Sequence, residues 1–119
     1  MMSQIPDWYN GVGDGWAAIL TILHTELMEV CDLYEADQVK EKFGGLRAYV
    51  SCPEGTDEAI KDQVLALELK YEALSYSVCE ICGQQGQNQA NAHGWYTTLC
   101  VLHRAEEEAA VRAHKEGET

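Results

Sequence analysis

Four residues in the C-terminal half of the chain have the types and the spacing of metal ligands. Cys79 and Cys82 are two residues apart, and after a gap of seventeen residues Cys100 and His103 repeat that spacing. A two-residue gap lets two side chains from one tight turn reach the same ion, and Gly83 permits the positive φ that such a turn often needs. Three thiolates and one imidazole complete a tetrahedral shell with no position open for water. The spacing therefore predicts one structural zinc ion.

Other chemistries fit these four residues less well. A Cys-x2-Cys redox pair normally opens a helix after a strand, whereas Cys79 follows a predicted helix. An iron–sulfur site would show a fourth cysteine in place of the histidine. His93 lies between the two pairs and is the rival ligand. We prefer His103, because its spacing from Cys100 mirrors the first pair.

A short basic segment is the second group with candidate chemistry. Lys40, Lys42 and Arg47 surround the pair Gly44-Gly45. Three cations, together with backbone N–H groups exposed at a turn, could bind an anion. In the alternative interpretation the cations neutralise acidic residues of neighbouring helices, while apolar residues of the same segment join the core. We favour this structural interpretation.

The sequence contains no recognisable catalytic constellation. No Ser or Cys stands in a nucleophile-elbow context, and no Gly-rich phosphate loop is present. A zinc hydrolase needs an open metal position and a general base. Glu80 lies between two of the ligands, but four protein ligands already fill the predicted shell. We therefore expect a protein that is not an enzyme.

Two long amphipathic helices are predicted to position these groups. The first begins near Gly15 or Trp16 and carries an apolar stripe, at three- and four-residue steps, as far as Tyr34. Its acidic residues fall outside the stripe and predict an acidic outer face. The second helix runs from a cap at residues 56–57 to Val78. Between the two helices, residues 46–50 alternate as a strand does after a glycine turn.

The expected fold class is α+β. It comprises two long helices with a short β element and a C-terminal module that is treble-clef-like or zinc-ribbon-like. In that module we predict a loop at residues 83–91, a strand at 95–99 and a helix from 102 to about 114. A single domain, 1–119, is expected. It divides into an irregular arm (1–14), a helical part with a short strand (15–78), the zinc module (79–103) and a C-terminal helix with a frayed end (104–119).

The charge of the chain limits the classes of partner. Twenty acidic side chains against eight basic ones give a net charge of −12 over 119 residues, and residues 1–39 contain no Lys or Arg. A field of this sign repels phosphate backbones, so duplex nucleic acid is not expected as a ligand. The same field attracts a basic surface. In the alternative interpretation, the acidic residues bind no partner and serve only to keep the protein soluble.

Three segments of the chain resemble a group of small uncharacterised proteins of bacteriophages and bacteria. They are Val39-Lys-Glu-Lys-Phe-Gly-Gly-Leu-Arg-Ala-Tyr-Val50, Cys79-Glu-Ile-Cys-Gly83, and Gly94-Trp-Tyr-Thr-Thr-Leu-Cys100 with His103. Gly15-Trp16 matches the start of the N-terminal helix of that group. The resemblance covers roughly residues 15–103. The resemblance implies a phage or mobile-element origin, but it does not indicate an activity for the protein.

These observations favour a non-catalytic, acidic, zinc-stabilised binding factor. We expect it to inhibit or modulate a host protein with a basic surface, such as a nucleic-acid-binding defence complex. The partner-binding residues predicted for this role are Glu26, Glu29, Asp32, Glu35 and Trp8. The alternative is a nucleic-acid-binding or nucleotide-binding zinc module that acts through Lys40, Lys42, Arg47 and Trp95. A virion structural or assembly protein is the third hypothesis, and the oligomeric state stays open.

A cytoplasmic location is expected, in the host cell if the protein is phage-encoded. No apolar run approaches the ~18 residues that span a bilayer, so membrane association is not predicted. Asp7 and Asp14 stand where a secretory signal would have a basic region and an apolar stretch.

Overall fold

The computed structural model describes residues 11–117, with side chains as far as residue 113. This part of the chain is α+β, as predicted, with three helices and two small antiparallel sheets. The elements are α1 (Ala17–Val30), β1 (Glu35–Lys42), β2 (Gly45–Ser51), α2 (Glu58–Ser75), β3 (Gln87–Ala90), β4 (Tyr96–Leu99) and α3 (Val101–Gly117). A 3₁₀ turn, Asp14–Trp16, precedes α1.

The prediction of two long helices is not confirmed, because α3 is a third helix of similar length. It has 17 residues, between the 14 of α1 and the 18 of α2. The second helix also ends earlier than predicted, at Ser75, and Val78 pairs instead with Gln85 in an isolated bridge. The predicted loop contains a short strand, β3, that pairs with β4.

α1 ends at Val30, although its apolar pattern predicted a helix as far as Tyr34. The chain reverses at this point, and the Tyr34 hydroxyl returns to within 2.5 Å of His24 Nδ1 on α1. This return contact cannot form if the helix continues. Asp32 therefore lies in a turn and Glu35 opens β1, so neither belongs to an acidic helical face as predicted.

β1 and β2 form an antiparallel hairpin whose register places Lys40 opposite Arg47. The sequence predicted only β2, because β1 is a polar strand that shows no alternation of apolar residues. On β2, Leu46 and Ala48 are buried. Since successive side chains of a strand point to opposite faces, the other face of the hairpin carries its cations.

Side chains of α2 cover the free edge of β2. The Leu46 N–H donates to Ser75 Oγ at 2.8 Å, and the Val50 N–H donates to Glu68 Oε1 at 2.8 Å. Unpaired N–H groups at a sheet edge otherwise favour pairing with another chain. The two contacts therefore protect the edge and set the position of the hairpin on α2.

The core lies where the hairpin meets α1 and α2. α1 contributes its apolar stripe, and α2 and β2 contribute a few residues each. The buried members are Trp16, Ile19, Leu20, Leu23, Leu27, Cys31, Leu46, Ala48, Val64 and Tyr71. The two helices run antiparallel, because Trp16 is bonded to Val78 while Val30 and Ile60 line one groove at the other end.

The loop of the hairpin contains Phe43 and Gly44, and both have positive φ, at 55° and 79°. A two-residue hairpin loop with positive φ at both residues is the type I′ pattern, which favours Asn-Gly. A bulky residue such as Phe is rare in this conformation. The Phe43 side chain is 61% exposed, so burial does not offset the strain.

Phe43→Asn is expected to raise the free energy of unfolding by about 1 kcal/mol, because Asn adopts the left-handed conformation at lower cost. Urea unfolding measures the change. Phe43→Ala is the matched control, since it removes the same ring but keeps a side chain that disfavours positive φ. Equal stability of the Asn and Ala variants would contradict this account of the loop.

Candidate metal centre

Two separate turns of the chain bring the four predicted ligands together. Cys79 and Cys82 lie in the turn that follows α2. Cys100 follows β4, and His103 lies in the first turn of α3. The four ligand atoms all lie within 4.8 Å of one another, so the cluster could hold one metal ion.

Three of the distances inside the cluster are close to those of a tetrahedral zinc site. Cys82 Sγ and Cys100 Sγ are 3.7 Å apart. His103 Nδ1 lies 3.6 Å from Cys79 Sγ and 3.2 Å from Cys100 Sγ. In a tetrahedron with ordinary zinc bond lengths, two sulfurs are about 3.8 Å apart and a sulfur and a nitrogen about 3.5 Å apart. Three thiols and one imidazole at these separations form a donor set that could hold one zinc ion.

The protein backbone favours the thiolate form of two ligands. Burial opposes ionisation of Cys79, but backbone N–H groups of Cys100, Cys82 and Ile81 outweigh it and lower its pKa to about 6. The His103 N–H, 3.5 Å from Cys100 Sγ, lowers the pKa of Cys100. The thiolate is the form that binds metal, so the turn and the helix end are prepared for metal binding.

Backbone hydrogen bonds hold the first ligand turn, here called the knuckle (residues 79–83). The Gly83 N–H donates to Cys79 O at 2.9 Å, and the Cys79 N–H donates to Gln84 O at 2.7 Å. Gly83 has a φ of +83°, as predicted from its place directly after the second ligand. The knuckle is therefore shaped by its own backbone.

The knuckle packs directly on the start of α1. The Gly15 N–H donates to Glu80 O at 3.0 Å, and a Cβ at Gly15 would lie 2.0 Å from Cys79 O. The indole N–H of Trp16, which is fully buried, donates to Val78 O at 3.0 Å. Glycine is thus required at residue 15 by the close approach of two backbones.

Glu80 joins the knuckle to β4. Its N–H donates to Thr98 O at 3.0 Å, and its carboxylate accepts from the Thr98 N–H at 3.1 Å. Burial raises the pKa of Glu80. Its carboxylate is held by the backbone beside the cluster, so this acidic residue between two ligands has a structural contact of its own.

The tip of hairpin β1–β2 docks on the same strand. Thr98 Oγ1 donates to Gly44 O at 2.6 Å, and Asn88 Nδ2 donates to Phe43 O at 2.8 Å. A Cβ at Gly44 would lie 2.4 Å from Asn88 Nδ2. The hairpin tip therefore contacts the metal module through the carbonyl oxygens of Phe43 and Gly44.

Arg104 fastens α3 to sheet β3–β4. It donates to Thr97 Oγ1 at 2.7 Å and to the carbonyl oxygens of Gln87 and Thr97 at 2.9 Å. Glu107 completes the group with an ion pair at 3.1 Å. These contacts orient the helix that carries His103.

The remaining residues predicted as ligands or contacts lie elsewhere. His93 is outside the cluster and packs its ring 6.1 Å from that of Trp95. Trp95 is 72% exposed and lines a cleft with residues of α3. Trp8 lies outside the described residues. Lys40, Lys42 and Arg47 share the outer face of the hairpin and take no part in the metal cluster.

The predicted acidic face of α1 is not a single surface. Glu26 is directed toward α2, where it accepts a hydrogen bond from the Tyr71 hydroxyl and lies 3.8 Å from Lys70 Nζ. Glu29, Asp32 and Glu35 are exposed at the far end of α1 and beyond it. Glu26 therefore links the two helices, and the other three share one end of the molecule.

The chain matches no protein-family model, no curated protein and no solved structure. Among the described residues, no helix combines the length and the apolar character needed to cross a membrane. The interpretation of the site therefore depends on its own geometry.

Sequence reasoning found the four ligands but missed the residues that support them. The sequence predicted Gly15 and Trp16 as the start of a helix and Thr98 as part of a strand, but it did not predict the contacts of these residues or of Glu80 with the ligand turn. The sequence contains a weak indication of a close backbone contact, since Gly15 and Gly83 both lie at junctions between predicted secondary-structure elements. Their contact spans 64 residues or more of sequence and could not be seen without the fold.

Removal of the metal is expected to unfold residues 79–103 and to release the start of α1, because the Gly15–Glu80 hydrogen bond depends on the knuckle. In ¹⁵N–¹H spectra recorded after chelation, the amides of residues 79–103 should lose their dispersion. The Gly15 amide should lose its protection from exchange, while amides in the middle of α2 keep theirs.

Cys82→Ser should reproduce this result in the presence of zinc, whereas Cys52→Ser, a control thiol outside the cluster, should not. An unchanged spectrum for residues 79–103 after chelation would contradict the structural role of the metal.

Proposed function

We propose that this chain is a non-catalytic binding protein, stabilised by one zinc ion, whose acidic end docks on a basic surface of a partner protein. The zinc part of the proposal is supported by three sulfurs and one nitrogen that lie within 4.8 Å of one another. A ligand turn, a hairpin and a ligand-bearing helix follow one another, which is a treble-clef-like order. Four protein ligands leave no position for a reacting water, so the ion is structural.

The metal is needed because the C-terminal module has little core of its own. Among the described residues after 78, Cys79, Thr98 and Leu99 are buried side chains. Fixing the backbone of each residue costs on the order of 1–2 kcal/mol. A structural zinc ion contributes on the order of 10 kcal/mol of binding free energy, which reverses that balance.

The acidic end of the molecule is the surface that supports a basic partner. It comprises the end of α1, the turn after it, and the loop that leads into α2. Its exposed carboxylates belong to Glu29, Asp32, Glu35, Glu54, Asp57 and Glu58. Lys61 Nζ is 3.4 Å from Glu58, so one of the six is paired. Like charges gathered at one end produce a field that steers an oppositely charged partner.

A groove at this end is the observation that carries the proposal. It has a volume of about 320 Å³ and is lined by Val30, Asp32, Leu33, Asp57 and Ile60 among others. Leu33 is 70% exposed. Apolar side chains flanked by carboxylates match a partner segment in which basic and apolar residues alternate.

Asp57 lines this groove. It occupies the N-cap position of α2, yet its side chain makes no capping hydrogen bond. A carboxylate at a helix N-terminus normally takes that role. Together with Asp32 it places two charges on the rim of the groove.

One predicted contact residue is excluded from this proposal, and the expected setting is kept. Glu26 is excluded from the contact because its carboxylate is held by Tyr71 and Lys70. The resemblance to phage and bacterial proteins supports a phage-encoded factor that modulates a bacterial host protein, in the host cytoplasm. An anti-defence role belongs to the same proposal and rests on the resemblance and the charge.

The test compares two double variants that change the net charge equally. Asp32→Lys/Asp57→Lys reverses both rim carboxylates of the groove. Asp14→Lys/Glu108→Lys reverses two exposed acids outside it. The zinc-loaded wild-type protein and both variants are immobilised and exposed to bacterial lysate. After washes across a salt series, the retained proteins are identified and purified.

Association of the purified partner is then measured by biolayer interferometry. The groove variant should slow association by about tenfold or more and flatten its salt dependence, because exposed charges act mainly on the encounter rate. The control variant should stay within about twofold of wild type. Equal effects of both variants would show a response to net charge alone and would refute docking at the groove.

A further inference from the structure

We infer that the outer face of hairpin β1–β2 binds single-stranded nucleic acid, with phosphates on its cations and bases stacked on the aromatic side chains beside them. This site is distinct from the acidic end and does not depend on the function proposed for it. The residues concerned are Lys40, Lys42, Phe43, Arg47 and Tyr49, here called the basic strip.

The strand register gathers the three cations of the strip. Lys40 lies directly opposite Arg47, and Lys42 lies two residues further along the same face, opposite Gly45. Rows of side chains on one face of a strand are about 7 Å apart. Three positive side chains therefore share one face of a chain whose net charge is −12.

The two lysines of the strip are not used to balance acids. Lys61, Lys70 and Arg104 each lie within 3.8 Å of a carboxylate oxygen. Within the part of the chain that the structure describes, Lys40 and Lys42 form no ion pair. Of the three cations expected to neutralise acids of the neighbouring helices, Arg47 lies 3.6 Å from Glu72 of α2, whereas these two lysines pair with no described acid.

Arg47 is oriented by the fold and still incompletely bonded. Its Nη2 donates to the Tyr76 hydroxyl at 3.3 Å, and its Nε lies 3.6 Å from Glu72. Nε is buried without a hydrogen-bond partner among the described atoms. Arg47 thus presents a fixed, partly neutralised charge between the two lysines and α2.

Aromatic side chains stand at the two ends of the strip. Tyr49, 42% exposed, follows Arg47 on the same face of β2. Phe43, at the hairpin tip, is 61% exposed, and Lys42 Nζ lies 5.6 Å from its ring centroid. Proteins hold single strands by combining two kinds of side chain: cations that contact the sugar–phosphate backbone, and exposed aromatic rings on which the bases stack.

Phe43 is the residue that points most directly to a ligand. It is exposed and occupies a left-handed conformation that Asn or Gly adopts at lower cost. Backbone strain of this kind is found at binding and catalytic sites. A largely exposed ring that disfavours its own turn is explained by contact with a base.

The shape and the field of the molecule select a single strand over a duplex. The strip is two strands wide and roughly 17 Å long, which suits one backbone. The acidic remainder of the protein repels the second backbone of a duplex.

The test uses fluorescence anisotropy with a labelled oligo(dT) of about 12 nucleotides, at low salt and across a salt series. Wild type should bind, and a duplex of equal length should bind at least about tenfold more weakly. Lys40→Gln/Lys42→Gln should weaken binding by at least about tenfold and reduce the log–log salt slope by about 1.4. The matched control, Lys61→Gln/Lys70→Gln, should stay within about twofold of wild type.

Phe43→Asn separates a binding role from a structural one. It should weaken binding by about fivefold or more while the variant melts at the same or a higher temperature than wild type. Absence of binding at low salt, equal losses in the lysine variant and its control, or full binding by Phe43→Asn would each overturn the inference. Competition by polyglutamate as effective as by unlabelled oligo(dT) would also overturn it, since it would indicate an acidic protein segment as the ligand.

Discussion

The close approach of the knuckle to the start of α1 is the constraint on which the rest of the structure depends. Gly15 meets the backbone of Cys79 and Glu80 without room for a Cβ, and the buried indole of Trp16 donates to Val78 O. Because Trp16 also belongs to the core, the metal cluster and the helical core share one boundary. Zinc bound at the cluster would therefore stabilise the region around α1 as well as the C-terminal module.

The hairpin β1–β2 meets both regions through its backbone. Its second strand is held by Ser75 and Glu68 of α2, and the carbonyl oxygens of its tip accept from Thr98 and Asn88. Structural contacts thus use the edge, the inner face and the tip of the hairpin. The outer face remains for the cations, which is why a segment with a structural role can also carry a binding site.

The sequence predicted the parts of this structure that local chemistry determines. The four ligands follow from spacing, Gly83 from its position, and the core of α1 from a three- and four-residue apolar period. β1 was missed because a polar edge strand has no apolar alternation, and the end of α1 was misplaced because the His24–Tyr34 contact is tertiary. Glu26 was assigned to a solvated face, since its partner Tyr71 is 45 residues away. In the last two cases a tertiary contact, which a local pattern does not encode, decided the structure.

X-ray absorption at the zinc K-edge of the purified, metal-loaded protein tests the central claim most directly. The account predicts one zinc ion per chain, with three sulfur ligands at about 2.3 Å and one nitrogen ligand at about 2.0 Å. Cys52→Ser should leave this spectrum unchanged, because Cys52 lies outside the cluster. Fewer sulfur ligands, or an oxygen ligand from water, would contradict a closed structural centre and would reopen the question of catalysis.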